Sequence, residues 1–382
     1  MNAERAPGQT KEPEGIDIDF SESLSDENWD SFLRQLPGAH HEQTEVWARF
    51  RRHFGWRPAR WVAHRNGRIV GGVQVLIRKL PRLGEIGYIV RGPLCEAGQA
   101  DVEAMLVEKV TAYARQRRFL YQVIDLPYGT GTLAPALDRE GYVLHPPGIP
   151  PSGLLKATLL LDIQPSPEIL LKNMRTTVRQ NIRTGEKAGF EMTLGTKEDL
   201  ETFWSLMLVI CRRRGSSPTP ANSEFFDMLW DTGGVSGFVR LFLLRLGEEV
   251  VSTAFAFAMG DTIRIWKVGW SGAHQNKFPN HLMWWLIIKW ARENGFRSLD
   301  FVWVDDHDAE LLAKGEKRPE AFRDGTTFFK MGFGGRLVMI PEARSRFFHP
   351  AFRWLSNPAM MRLIRSRIPQ QLIRRFWSHS SG

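Results

Sequence analysis

The sequence is poor in cysteine, with two in 382 residues, Cys95 and Cys211. They lie far apart and outside any Cys-x-x-Cys pattern, which argues against a disulfide scaffold and a structural zinc site. The histidines His40, His41, His53 and His64 show no ligand spacing, so we predict that they are structural and that the protein has no metal site. A reducing compartment fits this composition.

Long apolar runs are also missing. Residues 250–259 and 282–288 are the longest, and both end well short of the roughly 20 residues that span a bilayer. The first 30 residues are polar and rich in Asp and Glu, without the apolar core of a secretion signal. We therefore expect a cytoplasmic protein without a transmembrane helix, with residues 1–36 as a flexible acidic leader.

Acidic residues are outnumbered by basic ones, 42 to 51, which gives a net charge of +9. This balance favours a polyanionic partner such as nucleic acid, a phosphorylated small molecule or an anionic membrane surface, although many soluble proteins are basic without such a partner. The 43% hydrophobic and 24% charged composition is typical of a globular chain long enough for two domains.

The chain contains one structural plan twice. Residues 60–128 predict a β-hairpin, a third strand, a helix and a fourth strand, and residues 238–304 repeat that order. Ile69 and Val250 are 181 positions apart, and Asp125 and Asp300 are 175 apart, so the spacing changes little across the unit. This regularity indicates a duplicated domain.

The order of elements resembles the acetyl-CoA-dependent N-acetyltransferase fold, in which a loop between strand and helix holds the CoA pyrophosphate. Such a loop needs closely spaced glycines, so that backbone N–H groups can converge on a phosphate. Residues 271–280 offer Gly272 followed by bulky side chains, and residues 95–99 offer Gly98 alone. We therefore predict that the protein uses no CoA and no other cofactor.

Basic residues recur at helical spacing within residues 166–189. Ser166 is a candidate N-cap, and a single helix ending at Gly189 would carry four of the basic residues as one stripe. These four are Lys172, Arg175, Arg179 and Arg183. Such a stripe repels itself unless an anion faces it, so we predict that it binds phosphate.

Five short motifs in this order resemble the FemABX family, the peptidoglycan bridge aminoacyltransferases. They are QTEVWA with FGW at 43–48 and 54–56, RGP at 91–93, NIR with EKAG at 181–183 and 186–189, ICRRRG at 210–215, and FKMGFG at 329–334. Ile210 and Ser216 replace the family's Thr and Phe, and Arg51 stands where a lysine is more common. The resemblance implies an α/β fold of two tandem N-acyltransferase-like domains, each a mixed twisted sheet flanked by helices, without the coiled-coil arm.

The resemblance also implies a reaction. FemABX proteins transfer an amino acid from the 3′ ester of aminoacyl-tRNA to an amine on the stem peptide of a UDP-linked or lipid-linked peptidoglycan precursor. The ester is already activated, so the enzyme must align a neutral amine and stabilise the oxyanion. We accordingly expect charged tRNA as donor, a muropeptide as acceptor, and a monomeric enzyme.

Lys330 and Asp300 are the predicted catalytic residues. Lys330 lies between two phenylalanines and a glycine-rich run, a setting suited to stabilising an oxyanion, although a lysine extending from a strand edge is the alternative. Asp300 matches the family's strand end and could accept the amine's proton, but capping of backbone amides at a strand end is the commoner role of such a residue. The run at 305–308 is predicted to be exposed.

Five further residues are predicted to bind substrate: Arg51, Arg213, Phe329, Trp266 and Trp270. The resemblance implies that Arg51 and Arg213 clamp the precursor diphosphate, for which planar guanidinium groups are suited. The sequence leaves open which of Arg212, Arg213 and Arg214 faces the cleft. Trp266 and Trp270, predicted to face one side of a strand, could line the cleft or simply pack in the core.

The C-terminal residues from Ala343 onward contain no acidic residue, and eight arginines alternate with aromatic and aliphatic residues. We predict domains at 37–155 and 156–345, followed by a basic amphipathic tail at 346–382. The tail is predicted to bind an anionic membrane surface at the inner face of the plasma membrane; packing on the domain and contact with tRNA are the alternatives.

Three rival functions are compatible with this sequence. A CoA-dependent acyltransferase of exopolysaccharide or lipid biosynthesis would use the same doubled fold. A tRNA-dependent transferase acting on a small molecule would keep the donor site alone. A non-catalytic adaptor would recruit cell-wall enzymes to the membrane, and any turnover of an acyl donor would eliminate it.

Overall fold

The computed structural model of the chain describes residues 15–128, 133–147, 149–151, 154–316, 322, 325–350 and 352. The described helices and strands form two α/β domains in succession. The first domain comprises β1 (Ile16–Ser21), α1 (Glu27–Gln35), α2 (Glu45–Arg52), β2 (Trp56–Arg65), β3 (Arg68–Leu80), β4 (Gly84–Val90), β5 (Leu94–Cys95), α3 (Ala100–Gln116), β6 (Tyr121–Asp125), α4 (Ala134–Arg139) and β7 (Val143–Leu144).

The second domain has the same succession of hairpin, strand, helix and strand, preceded by four α-helices where the first domain has two. It comprises β8 (Ala157–Asp162), α5 (Pro167–Asn173), α6 (Thr176–Glu186), β9 (Glu191–Leu194), α7 (Leu200–Arg213), α8 (Glu224–Gly233), β10 (Val239–Leu246), β11 (Glu249–Met259), β12 (Thr262–Trp270), α9 (Pro279–Glu293), β13 (Ser298–Trp303), α10 (Asp306–Lys314), α11 (Thr326–Met331) and β14 (Arg336–Met339), before a last strand, β15 (Arg344–Phe347). The predicted duplication is confirmed element by element.

Each domain is built on one mixed sheet. The first has the order β1-β2-β3-β4-β6-β15-β7, with β5 paired to β3, and the second has the order β14-β8-β13-β12-β11-β10-β9. In each sheet one pair is parallel, β4 with β6 and β12 with β13. Asp125 and Asp300 are the last paired residues of these two parallel ladders, which places the two carboxylates at corresponding positions.

The last strand connects the two domains. β15 follows the second domain in sequence but lies between β6 and β7 of the first sheet, with Phe347 opposite Tyr121. In the second sheet the corresponding place, between β13 and β14, is taken by β8. The predicted boundary at residue 345 is therefore wrong, because the ladder of the first sheet is completed by residues 344–347.

An apolar cluster joins the domains. It combines Trp47 and Phe50 of the first domain with Phe226 and Phe255 of the second, all buried. A separate cluster under α9 contains Trp284, Trp285 and Phe301, and it forms the core of the second domain. Large aromatic side chains bury much area, so this shared cluster holds the two sheets in a fixed relation.

The predicted leader is wrong for residues 16–35. β1 pairs with β2, and α1 begins at Asp26, whose side chain accepts from the Trp29 N–H. Trp29 and Leu33 are fully buried, so they anchor α1 on the first sheet. The prediction failed because it relied on the acidic composition of this stretch and overlooked that Trp29 and Leu33, four residues apart, lie on one face of a helix.

The predicted single helix over 166–189 is also interrupted. Ser166 caps α5 as predicted, but the chain is extended at Met174 and restarts as α6 after Arg175. Within the described ranges no helix exceeds the 17 residues of α3, in agreement with the prediction of a compact form without a coiled-coil arm. The predicted tail lies outside the described residues from 353 onward.

Candidate active site

Lys330 lies on α11 and points at the end of β13. Its Nζ donates a 2.6 Å hydrogen bond to the Trp303 carbonyl oxygen and lies 5.7 Å from the centre of the Trp303 ring. Burial lowers the pKa of Lys330 to about 8, an effect that the charge of Asp300 opposes and that of Arg214 reinforces. Lys330 is thus a partly desolvated ammonium on a helix, and the alternative of a strand-edge lysine is wrong.

The backbone that presents the Trp303 carbonyl is strained. Val302 has φ 56°, a left-handed conformation that is costly for a β-branched residue. Two contacts with Asp300 hold this kink: its Oδ1 accepts from the Val302 N–H at 2.7 Å and from the hydroxyl of Thr158. The kink directs the Trp303 carbonyl at Lys330.

The other oxygen of Asp300 is engaged as well. Its Oδ2 accepts from the Tyr128 hydroxyl at 3.3 Å and lies 3.5 Å from Arg264 Nε. Only 1% of Asp300 is exposed. A carboxylate with every oxygen occupied and no solvent access is badly placed to take a proton from an incoming amine, so the geometry favours a positioning role for Asp300 over the predicted general base.

Arginine–carboxylate pairs continue across the domain interface. Arg91 donates to Asp125 at 3.2 Å and to the Leu126 carbonyl at 3.0 Å, and its guanidinium lies 5.1 Å from the Tyr128 ring centre. Burial raises the pKa of Asp125 to about 6 despite the opposing charge of Arg91. Tyr128, which also reaches Asp300, connects the two pairs.

Arg51 joins this network through Glu42. Burial and the charge of Asp125 raise the pKa of Glu42 to about 7, against the charges of Arg91 and Arg51. The guanidinium of Arg51 lies 5.3 Å from the ring centre of Trp56 and also faces Trp47. Arg51 therefore lies in an aromatic pocket beside the interface, where burial lowers its pKa.

His40, His41 and Glu42 bring their ligand atoms within 4.8 Å of one another. The prediction that the histidines lack ligand spacing is therefore wrong for this pair. Burial lowers the pKa of both histidines, and the positive charge of Arg264 reinforces the effect. Arg264 Nη2 donates to the adjacent Ala39 carbonyl at 3.0 Å, so fixed guanidinium charge opposes a cation here.

The two predicted cleft tryptophans lie on opposite faces of the second sheet. Phe255 pairs with Lys267 and Ala256 with Ile265, so Trp266 is an extra residue in a bulge. Trp266 consequently packs into the interdomain cluster, whereas Trp270 lies on the α9 side. The prediction that they share one side is wrong because the bulge shifts the alternation by one.

Arg213 and Trp270 are brought together, with the guanidinium 4.6 Å from the ring centre. Gly272 accommodates the contact, since a Cβ there would lie 2.5 Å from Arg213 Nη1. The neighbouring Arg214, however, is the arginine whose charge acts on Lys330. Of the three arginines left open by the sequence, Arg213 binds the aromatic wall and Arg214 affects the lysine.

Phe329 and two of the four predicted phosphate ligands serve the protein itself. Phe329 packs on His281 and Trp284 in the core of the second domain, away from the predicted substrate role. Arg175 donates to the Phe328 carbonyl at 3.0 Å, and Arg179 donates to the Lys172 carbonyl at 2.9 Å. The break between α5 and α6 turns these guanidinium groups inward.

Lys172 and Arg183 keep exposed side chains. Within the described ranges no acidic partner lies against either of them. They remain the members of the stripe that can reach an external anion.

The loop between β12 and α9 uses its own polar groups. The Ala273 N–H donates to Ser271 Oγ, and the Gln275 side chain donates to the Gly272 carbonyl. His274 and Phe278 adopt left-handed conformations, and α9 begins with Pro279, which has no N–H. The N–H groups of Ala273, Lys277 and Phe278 are thus engaged within the loop, and Pro279 has none, which interrupts the row of amides that a pyrophosphate needs.

Sequence reasoning missed Arg91, Asp125, Tyr128, Arg264 and Thr158. The duplication offered one signal, because Asp125 occupies the place of Asp300 in the other copy. Nothing local marked Arg264, which lies mid-strand in an apolar run and meets Asp300 only in the folded sheet.

Two family models match the chain. The one described as the FemAB family matches residues 24–134, and the one described as an acetyltransferase (GNAT) domain matches residues 172–310. Lipid II:glycine glycyltransferase from Staphylococcus aureus strain MRSA252 is 24% identical over 237 residues, which are 59% of this chain and 55% of that protein. The chain thus spans about half the length of the curated relatives that it matches.

Solved structures support the fold. The crystal structure of FemX aligns with a TM-score of 0.75 at 17% identity, covering 89% of this chain and 100% of that one. The C-terminal domain of a putative lysylphosphatidylglycerol synthetase from Agrobacterium fabrum aligns with a TM-score of 0.51 at 12% identity, covering 88% and 95%. The predicted tandem N-acyltransferase-like fold is confirmed. In the part of the chain that the structure describes, no helix has the length and apolarity needed to cross a bilayer.

Proposed function

We propose that this chain, which belongs to the FemABX family, is an aminoacyltransferase that moves an amino acid from aminoacyl-tRNA to an amine on the stem peptide of a peptidoglycan precursor. The observation that carries the proposal is the position of Lys330, a partly buried ammonium that donates one hydrogen bond to the Trp303 carbonyl. An ammonium has three N–H groups, so two are left for a substrate oxygen.

The chemistry needs no cofactor. The neutral amine of the acceptor attacks the ester carbonyl, a C–N bond forms, and the bond from the carbonyl carbon to the 3′ oxygen of tRNA breaks. The proton lost by the amine is balanced by the one gained by the leaving oxygen. Lys330 would donate to the oxyanion of the tetrahedral intermediate, with a benefit that grows as water is excluded.

An ester donor other than acyl-CoA agrees with the loop between β12 and α9. The N–H groups of Ala273, Lys277 and Phe278 are engaged within the loop and Pro279 has none, so the row of amides that would hold a CoA pyrophosphate is interrupted. The tRNA backbone offers phosphates instead, and the exposed Lys172 and Arg183 are the candidates to contact them. These two lie on consecutive helices, α5 and α6.

The acceptor would lie between the domains. Arg51, held among aromatic rings beside Glu42, is the candidate for the precursor diphosphate from the first domain. Arg213 on Trp270 is the candidate from the second domain, with Trp270 as an apolar wall. The relatives named as lipid II:glycine glycyltransferases favour a lipid-linked acceptor over a UDP-linked one.

A lipid-linked acceptor would place the enzyme at the membrane as a peripheral, cytoplasmic-face protein. The arginine-rich residues 353–382, which contain no acidic residue, are suited to an anionic surface. The proposal is tested by incubating purified protein with a pool of charged tRNAs and either precursor, then weighing the product. Addition of one aminoacyl mass is expected, and an unchanged precursor with every charged tRNA would overturn it.

A further inference from the structure

A basic cleft lies at one edge of the first sheet, away from the carboxyl ends where Asp125 is found. The starts of β4 and β6 and the end of β15 meet at this edge. The Phe348 N–H donates to the Leu120 carbonyl at 3.0 Å and closes the floor. The cleft has a volume of about 350 Å³, and its lining includes Arg115, Arg118, Phe119, Arg346, Phe348 and His349.

The cleft has more positive charge than its own carboxylate can balance. Glu140 Oε2 lies 2.8 Å from Arg346 Nη1 and 3.7 Å from Arg115 Nη2, so one carboxylate serves two guanidinium groups. Arg118 is exposed, and no acidic side chain of the described residues pairs with it. Three arginines around one glutamate leave a site for an anion the size of a phosphate group.

An aliphatic side chain stands beside this charge. Leu83, in the turn between β3 and β4, is 59% exposed, and its neighbour Arg82 is exposed as well. The turn lies against the cleft floor, since a Cβ at Gly84 would be 3.3 Å from the side chain of Leu120. An exposed leucine next to an exposed arginine suits a membrane interface and has no evident use on an RNA backbone.

We propose that this basic edge, defined by Arg82, Leu83, Arg115, Arg118 and Arg346, docks on an anionic membrane and binds phospholipid phosphate in the cleft. The lining of the cleft ends at Pro350, and the sequence continues shortly afterwards into the arginine-rich segment 353–382. The inference deepens the proposed function and rests on it for its purpose, because a lipid-linked acceptor requires an enzyme held at the bilayer.

The test is co-sedimentation of the full-length protein with phosphatidylcholine vesicles, with and without phosphatidylglycerol. The double variant Arg115→Gln/Arg118→Gln should bind the anionic vesicles roughly tenfold or more weakly, since each basic residue near such a surface adds about 1 kcal/mol. The matched control is Arg65→Gln/Arg68→Gln, at the opposite end of the β2–β3 hairpin. It removes the same charge from exposed ion pairs and should bind as the unmodified protein does.

Leu83→Ser should weaken vesicle binding too, whereas Val235→Ser, at a fully exposed aliphatic in the second domain, should not. Equal weakening by both double variants would mean nonspecific charge attraction and overturn the proposal. If Arg115→Gln/Arg118→Gln lost tRNA retention on a filter but still bound vesicles, the basic edge would be assigned to RNA instead. If inorganic phosphate bound the cleft as strongly as the vesicles do, the cleft would be a site for soluble anions and not for a membrane.

Transfer to a soluble UDP-linked acceptor is measured on the same samples. Arg115→Gln/Arg118→Gln should retain it, because neither residue lies near Lys330. If the unmodified protein transfers nothing yet shows the expected vesicle pattern, the proposed function fails while the docking surface stands. If transfer occurs and the vesicle pattern is absent, only the docking surface fails.

Discussion

The ammonium of Lys330 and the carbonyl oxygen of Trp303 are joined by a 2.6 Å hydrogen bond that links α11 to the end of β13. The carbonyl is presented by the strained Val302, which Asp300 and Thr158 hold in place. The buried network at the interface and Lys330 on α11 are therefore parts of one arrangement. It follows that changes at Asp300 should be felt at Lys330.

Removal of the Lys330 ammonium should abolish most of the activity. Lys330→Ala is expected to lower kcat for aminoacyl transfer by about 10²-fold or more, as for loss of one oxyanion donor. Thermal unfolding should change little, because the variant also relieves a desolvated charge. Lys314→Ala, an exposed lysine at the end of α10, is the matched control. A near-normal kcat for Lys330→Ala would make the lysine structural.

The pH profile should contain a descending limb that belongs to Lys330. Its pKa is lowered to about 8, so the ammonium is lost, and the rate falls, as pH rises through that value. Lys330→Arg keeps a positive charge throughout, since arginine does not titrate in this range. The limb should therefore vanish in Lys330→Arg even if its maximal rate is lower. Persistence of the limb would assign it to another group.

The contribution of Lys330 to the free energy of unfolding should increase with pH, whereas its contribution to the rate decreases. Below about pH 8 the folded state holds a charge that burial penalises, and between about 8 and 10.5 the unfolded chain binds more protons than the folded one. The free energy of unfolding contributed by Lys330 should thus increase with pH in that window. Denaturant titrations of the unmodified protein and Lys330→Met at both ends of the window measure it, and a parallel response of the two proteins would contradict the assignment.

Substitutions at Asp300 and Thr158 should distinguish a positioning role of Asp300 from a role as general base. Asp300→Asn leaves the buried Arg264 without a charged partner and should destabilise the fold by about 3–5 kcal/mol. Thr158→Val removes a hydroxyl and no base, yet it frees the same kink, so it should also lower kcat. If Asp300 were the base, Thr158→Val would keep normal kcat and Asp300→Asn would lose it without a fall in Tm.

The segment after the last strand should be dispensable for chemistry. Deleting residues 353–382 is expected to weaken binding to anionic vesicles. The loss should be smaller at high salt, because the screening length falls from roughly 8–10 Å at physiological salt to about 3 Å at 1 M. Transfer to a UDP-linked acceptor should survive, and transfer to the lipid-linked one should drop. A deletion from residue 346 would cut β15 and serves as the unfolding control. Equal loss on both acceptors would indicate that the segment completes the fold or holds tRNA.

Acetyl-CoA should not bind, because the row of amides in the loop between β12 and α9 is interrupted at Ala273 and from Lys277 to Pro279. Calorimetric titration is expected to show no heat above the nonspecific level. Micromolar binding would favour the CoA-dependent rival, for which the match to a GNAT domain at 172–310 is the supporting observation.

The fold was largely readable from the sequence, because a duplicated alternation of hairpin, helix and strand leaves the same hydrophobic periods in both copies. The site was less so. Lys330 was found through a motif, and Ser166 through its capping pattern. The side of the sheet on which Trp266 lies was not predictable, because one extra residue in β12 reverses the alternation without a glycine or proline to mark it.

What the sequence determined by itself is local: the order of elements, the caps, the glycine-poor loop and the excess of basic residues. Only the tertiary structure decided that β15 returns to the first sheet, that Arg175 and Arg179 turn inward on backbone carbonyls, and that Arg264 meets Asp300 beneath Lys330. The physical reason is range. Periodicity and capping depend on neighbours in the chain, whereas a buried charge takes its partner from whichever strand or helix is packed against it.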